Sequence, residues 1–325
     1  MATHFESALR TQLVTRRSKL EEALEASPNR SYLTSLLQEV DSALSRMDDG
    51  SFGLCEVCHE PIESSRLEAD PLVRFCIDHL TVPQQRALEE DLRLAARIQS
   101  ALLPKAGVLP GGWRTAFHYE PAGPVSGDYC DLISAEDGSL FFMVGDVSGK
   151  GVAASMLMAH LHAMLRALTG IGLPLAQIVE RASRVFCEST LANQYATLVC
   201  GRAEKNGYVE ICNAGHPAPL LRQGANVTSI SSTGLPLGLF CSEEFSVDRV
   251  RLNTGDRLIL FTDGLSEAQN PEEEEFGVEQ IAEFVRAQCS LPAPEFVNSC
   301  VSKVAGFRSG LPPRDDVTLM VIERM

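Results

Sequence analysis

The chain has 325 residues, with 43 acidic against 28 basic side chains and a formal net charge of −15. That balance argues against broad nucleic-acid binding, which needs a basic surface. Hydrophobic residues at 45% and charged residues at 22% describe an ordinary globular chain, long enough for one large or two moderate domains. No apolar stretch is expected to reach the roughly 18 to 20 residues of a bilayer span. The first residues are amphipathic and carry acids, unlike a secretory signal, so the expected compartment is the cytoplasm and no membrane partner is expected.

In chain order, residues 5–25 and 31–47 read as two helices. Leu33, Leu37, Val40, Leu44 and Met47 advance by 4, 3, 4 and 3, one face of a helix. "SPNRS" at 27–31 breaks the pair, and an antiparallel hairpin over 1–50 follows, since neither stripe can be buried alone. Its role is read as docking or dimerisation.

Residues 51–82 hold Cys55-x2-Cys58, then seventeen residues, then Cys76-x2-His79. Two close pairs of thiolate and imidazole suit one tetrahedral zinc, and four protein ligands leave no place for water, so the site is structural. His59 competes for one position, but adjacency to Cys58 makes joint ligation awkward. The segment resembles the DksA/TraR-type zinc finger in "DDGSFGLCEVCHEPI", "RLEADP" and "CIDH", with His79 where that family places its fourth cysteine. Some members bind RNA polymerase through a coiled-coil tip. That activity is not carried over to this short hairpin. The remaining cysteines (130, 187, 200, 212, 241, 289 and 300) read as reduced.

A third long helix is expected over 83–103, within a linker spanning 83–108. Leu88, Leu92, Ala95, Gln99 and Leu102 repeat the 4, 3, 4, 3 spacing of a coiled-coil seam. Gln99 would make that seam marginal, so the helix is read as the dimer contact of a switch acting on the following domain. "LLPKAGVLPGGW" then breaks the helix and marks a domain boundary, the C-terminal domain running over 109–325.

That domain reads as grouped strands with a few helices. Strands are expected at "SLFFMVGDV", "DRLILFTDG" and "DDVTLMVIE", with a hairpin turning at Lys205-Asn206-Gly207. Helices fit 151–169, 174–191 and 278–289. Grouped strands with helices between the groups give an α+β class. "PEEEEF" at 271–276 reads as a solvated acidic loop.

"GDVSGKG" invites a phosphate-loop reading, but Gly149-Lys150 is followed by Gly151, and the position five before Gly149 is Val144. The P-loop pattern fails. Asp128, Asp146, Asp263 and Asp315 each stand beside a turn at the end of an apolar run. Clustered carboxylates are costly without a cation, and an all-oxygen set selects magnesium or manganese.

The order of "AARIQSALLP", "SGDYCD", "GDVSGKG", "NAGHPAPL", "GLPLG", "FTDGLSEA" and "RDDVTLMV" resembles the metal-dependent (type 2C) Ser/Thr protein phosphatases of the SpoIIE-like group, over about residues 95–325. The resemblance implies an α-β-β-α sandwich and two Mn2+ or Mg2+ ions. Asp146 would bridge them, the Val147 carbonyl would be a further ligand, and Asp128, Asp263 and Asp315 would complete the set directly or through water. Asp316 would orient its strand end. Gly149 and Gly151 would clear space for a tight turn, and His216 would pack or orient a loop rather than act as an acid.

The implied activity is hydrolysis of phosphoserine or phosphothreonine on a regulatory protein by a two-metal-activated water. An anti-sigma-factor antagonist in a bacterial partner-switching pathway is the implied type of substrate. The competing reading is a non-catalytic zinc-finger adaptor in transcription control, with a phosphatase-like sensor domain.

Overall fold

The computed structural model describes residues 2–26, 30–80, 82–191 and 193–325. It divides into two compact units, Met1–Asp91 and Leu92–Met325.

In the first unit, α1 (Ala2–Ala26) and α2 (Arg30–Asp49) form a hairpin. Residues 27–29 of the expected break lie outside the described residues. Arg10–Asp48 at 2.7 Å and Arg17–Asp41 at 3.1 Å pair rising numbers with falling ones, so the helices run antiparallel. Val40 and Met47 of the expected stripe are buried with Leu9 and Leu13 of α1, Ala43 lies buried beside them, and Leu44 is partly buried against the same core. Cys55, Ile62, Cys76 and Leu67 of the short helix α3 (Ser64–Ala69) finish this core. So few buried side chains, each contributing about 1.5–3 kcal/mol when fully apolar, leave little to hold the cysteine segment without a metal.

Helix α4 (Val82–Leu102) follows. The units divide inside it, at Asp91/Leu92, rather than at the proline- and glycine-rich stretch 104–112. The reason is local: Gln99, in the last turns, is buried by bonds within the second unit.

The second unit is a sandwich of two antiparallel sheets. One sheet contains β1 (Gly107–Leu109), β2 (Trp113–Glu120), β7 (Leu220–Gln223), β8 (Asn226–Ser229), β10 (Arg257–Phe261) and β11 (Val317–Arg324), in the order β1-β2-β11-β10-β7-β8. The other contains β3 (Asp128–Ser134), β4 (Leu140–Val147), β5 (Ala196–Ala203), β6 (Tyr208–Ala214) and β9 (Asp248–Arg251), in the order β3-β4-β5-β6-β9.

Phe142, Val144 and Val199 of one sheet meet Leu258, Leu260, Met320 and Ile322 of the other in the central apolar layer. The alternate residues of the same strands point outward. Met143, Leu198 and Cys200 lie under α5 (Gly151–Thr169) and α6 (Leu175–Ser189). Ile259, Phe261, Leu319 and Val321 lie under α8 (Gly277–Ala287) and α9 (Ala293–Phe307). Strands buried on both faces explain the continuous apolar runs, and the four layers are the expected α-β-β-α sandwich of α+β class.

Three features depart from the sequence reading. Helix α5 is long and apolar enough to cross a membrane by length and composition. Here Ala154, Met158, Leu161 and Leu165 form a stripe buried on the sheet, the pattern of a core helix. Cys187 of α6 is bonded to Cys241 rather than reduced, stapling α6 to the loop between β8 and β9. Helix α9 had no counterpart in the sequence reading, although Phe296, Val297, Cys300 and Val304 form its buried face behind Pro292.

Candidate functional site

Asp128 opens β3 and Asp146 is the penultimate residue of β4, and the two are direct cross-strand partners. In the other sheet, β10 runs antiparallel to β11 with Phe261 opposite Leu319. Asp263 therefore opens the one-turn helix α7 (Asp263–Ser266) beside Asp315, which precedes β11. Each sheet thus supplies two of the four predicted acids. Their mutual electrostatic influence links Asp128 to Asp146, and Asp146 to Asp263 and Asp315.

Two glycines permit this closeness. A Cβ on Gly264 would lie 2.0 Å from the Asp316 carbonyl oxygen, so only glycine lets the Asp263 turn meet that strand end. A Cβ on Gly127 would lie 3.0 Å from the Val147 carbonyl oxygen and 3.4 Å from Asp146 Oδ1. Gly149 and Gly151 make the expected tight turn into α5: both have positive φ, 97° and 73°, and no protein atom lies within 4 Å of either Cβ position. The turn needs their left-handed backbone.

Asp128 is 1% exposed, and its Oδ2 accepts hydrogen bonds from the hydroxyls of Thr262 (2.9 Å) and Thr318 (2.5 Å) across the sandwich. Burial, then the Asp146 charge, pushes its carboxyl well above the ordinary range. Burial and the charges of Asp263, Asp315 and Asp316 push Asp146 up to about 7. Burial and Asp315 also raise Asp263. The cluster carries negative charge that its own surroundings do not neutralise. Lys150 makes the one direct contact to it from a basic side chain among the described residues, donating to Asp315 Oδ2 at 2.7 Å.

The entry to β3 is pinned from two sides. Asp316 accepts the Ala122 and Gly127 N–H groups at 2.7 and 2.8 Å. Gln99 of α4 donates Nε2–H to the Ser126 carbonyl at 2.7 Å and accepts the Ser126 N–H on Oε1 at 3.0 Å. Gln99 is therefore fixed on its own chain and is not the marginal member of an exchangeable seam: its amide completes the backbone pairing of a buried residue.

His216 is 4% exposed, its Nδ1 2.8 Å from the Thr197 hydroxyl, and its N–H donates to Asn213 Oδ1. Burial holds it down to about 3, so it is neutral near pH 7 and has no proton of an imidazolium to give. The sequence reading named none of Thr262, Thr318, Gln99 as a pin, or the Lys150 pair. The threonines did leave a signal: Thr262 ends the apolar run of β10 next to Asp263, and Thr318 is a polar interruption in the apolar run of β11 two residues after Asp316.

In the first unit, one ligand atom each from Cys55, Cys58, Cys76 and His79 lies within 4.8 Å of all the others, the single such quartet among the described residues. Cys58 Sγ and Cys76 Sγ are 3.8 Å apart. A zinc tetrahedron with Zn–S near 2.3 Å has edges of about 3.8 Å. His79 Nδ1 lies 3.1 Å from Cys76 Sγ. His59 is not in the group; it takes φ 59° in the turn that returns the chain past Cys58. Burial raises the Cys55 thiol, but backbone N–H groups of Cys58, Cys76 and Val57 outweigh it and bring it down to about 6. The donor set fits zinc.

Two family profiles match. Stage II sporulation protein E (SpoIIE) covers residues 136–325, and the prokaryotic dksA/traR C4-type zinc finger covers residues 50–78. Protein IcfG of Synechocystis sp. is 28% identical over 264 residues, covering 72% of this chain but 41% of IcfG. Phosphoserine phosphatase RsbU of Bacillus subtilis is 25% identical over 249 residues, covering 74% of this chain and 72% of RsbU. The chain thus spans well under two thirds of the first relative and somewhat more than that of the second. The SiaA-PP2C domain of Pseudomonas aeruginosa superposes with a TM-score of 0.64 at 21% identity, over 74% of this chain and 97% of that domain, a likeness of fold.

Proposed function

The chain belongs to the SpoIIE family, and from that premise we propose that it is a metal-dependent protein Ser/Thr phosphatase carrying a DksA/TraR-type zinc finger. The observation that carries this reading is the meeting of Asp128 and Asp146 from one sheet with Asp263 and Asp315 from the other. The mutually repelling, all-oxygen donor set fits a hard divalent cation. Asp146, the Val147 carbonyl, Asp263 and Asp315 would hold the ions, and Asp128, already held by two threonines, would complete the set directly or through water. Two Mn2+ or Mg2+ ions would supply an activated water and neutralise phosphate oxygens.

The chain's own residues set the geometry. Thr262 and Thr318 hold Asp128 across the sheets. Asp316 and Gln99 fix the entry to β3, and Gly264 brings the Asp263 turn against the 315–316 peptide. No side-chain nucleophile is needed.

The proposed substrate is a phosphoserine or phosphothreonine protein, in keeping with the phosphoserine phosphatase name of RsbU. An anti-sigma-factor antagonist in a partner-switching pathway is the proposed instance. The proposed domains are a hairpin over 1–50, a finger over 51–82, a linker helix over 83–108 and the phosphatase over 109–325. The proposed compartment is the cytoplasm. Dimerisation through the linker helix is retained as a proposal, now resting on Leu94 and Ile98, 54% and 57% exposed, instead of Gln99. The test is release of phosphate from a phosphoserine peptide with added manganese and with a chelator. Turnover that requires manganese supports the reading; no turnover, or turnover unaffected by chelation, overturns it.

A further inference from the structure

Lys150 stands between two glycines of positive φ, at the N-cap of α5. Its turn is anchored to the entry of β5, where Ser148 N–H donates to the Tyr195 carbonyl at 2.9 Å and Tyr195 N–H donates to Ser148 Oγ at 3.0 Å. From that fixed base the ammonium crosses to the other sheet, donating to Asp315 Oδ2 at 2.7 Å and to the Arg314 carbonyl at 2.9 Å. Its charge is also felt at Asp146 and Asp263. A cation of the chain's own thus sits on oxygens at the edge of the acid cluster, and one of those oxygens belongs to Asp315.

We propose that Lys150 is an internal stand-in for a site cation: it holds Asp315 while the site lacks metal and is displaced when a divalent ion takes that carboxylate. The inference rests on the two-metal reading and extends it, making Lys150 a positioning residue that sets metal affinity. The pair suits exchange. Its side chains are 65% and 47% exposed, and exposed pairs of this kind are weak. The latch keeps Asp315 oriented without competing strongly against a divalent charge.

The experiment is calorimetric titration of manganese into the metal-stripped phosphatase site of the full, zinc-replete chain. Lys150→Gln should tighten manganese binding by about two- to five-fold, the range that releasing an exposed ion pair allows. In an Asp315→Asn background the same substitution should change little. Lys150→Gln that leaves affinity unchanged or weakens it overturns the inference. So does an equal gain in both backgrounds, which would report only the general field of the ammonium at Asp146 and Asp263. In either case wild-type manganese binding that is abolished by Asp146→Asn would leave the two-metal reading standing. Wild-type binding insensitive to Asp146→Asn would remove both.

Discussion

Replacing Gln99 by leucine separates two accounts of helix α4. If Gln99 were a weak member of a dimer seam, leucine would strengthen that seam. In the structure its amide instead satisfies both backbone groups of Ser126, which is fully buried. Leucine is similar in size but has no donor or acceptor, so the Ser126 N–H and carbonyl would be left unpaired away from water. A buried unsatisfied group costs about 1–3 kcal/mol, so two groups that relax in part should cost about 2–4 kcal/mol. The loosened segment runs directly into Gly127, against the Val147 carbonyl, and Asp128, so manganese affinity should fall as well. Urea unfolding of the full chain reads the first effect and calorimetric titration of manganese the second. A Gln99→Leu variant with unchanged or higher stability and unchanged manganese affinity would refute the pin and restore the seam.

The zinc quartet predicts about one tightly held zinc per chain, seen by elemental analysis. Cys58→Ser should lose it and melt the first unit at lower temperature; a metal-free chain with an unchanged melting curve would contradict this. The Cys187–Cys241 bond closes a loop with a sequence separation of 54, so its reduction should lower stability by about 4 kcal/mol on the chain-entropy account. Unfolding curves that coincide with and without reductant would argue against the bond. His216 is held neutral, its folded value of about 3 lying below the ordinary 6.5. The unfolded chain therefore takes up a proton first. This contribution to stability is complete above about pH 6.5 and is lost as pH falls towards 3, at up to about 1.4 kcal/mol per pH unit. His216→Gln should flatten that part of the pH profile; an unaltered slope would show that another group sets it.

Much of this architecture is written in the chain because the relevant signals are local. The 4, 3, 4, 3 spacing of Leu33 to Met47 places one face of α2, and the doubly buried strands appear as uninterrupted apolar runs such as "LILF". The acids at strand ends are equally visible, since a carboxylate closing such a run is locally anomalous. What joins them is not local. Asp128 and Thr318 are 190 positions apart, and Gln99 pairs with Ser126, 27 positions on, in the segment between β2 and β3, which has no periodicity of its own. The amphipathic spacing of α4 marks a buried face without saying whose surface buries it, so Gln99 is assigned to a seam from spacing alone and to its own domain once the fold is known. The Cys187–Cys241 bond was hidden for the same reason: "FCES" and "FCSE" give no sign that they face each other.

The central claim is that the four aspartates hold the cations on which phosphate release depends. It is tested most directly by a manganese titration of phosphoserine-peptide hydrolysis in the wild type, Asp146→Asn and Asp263→Asn. Circular dichroism on each chain would verify that the fold persists. The prediction is manganese-dependent release by the wild type. Asp146→Asn should lose most of that activity at every manganese concentration, because the shared carboxylate between the sheets is gone. Asp263→Asn should also be impaired, with any residual activity requiring more manganese. Folded Asp146→Asn and Asp263→Asn chains that release phosphate at the wild-type rate, with the wild-type manganese requirement, would contradict the account.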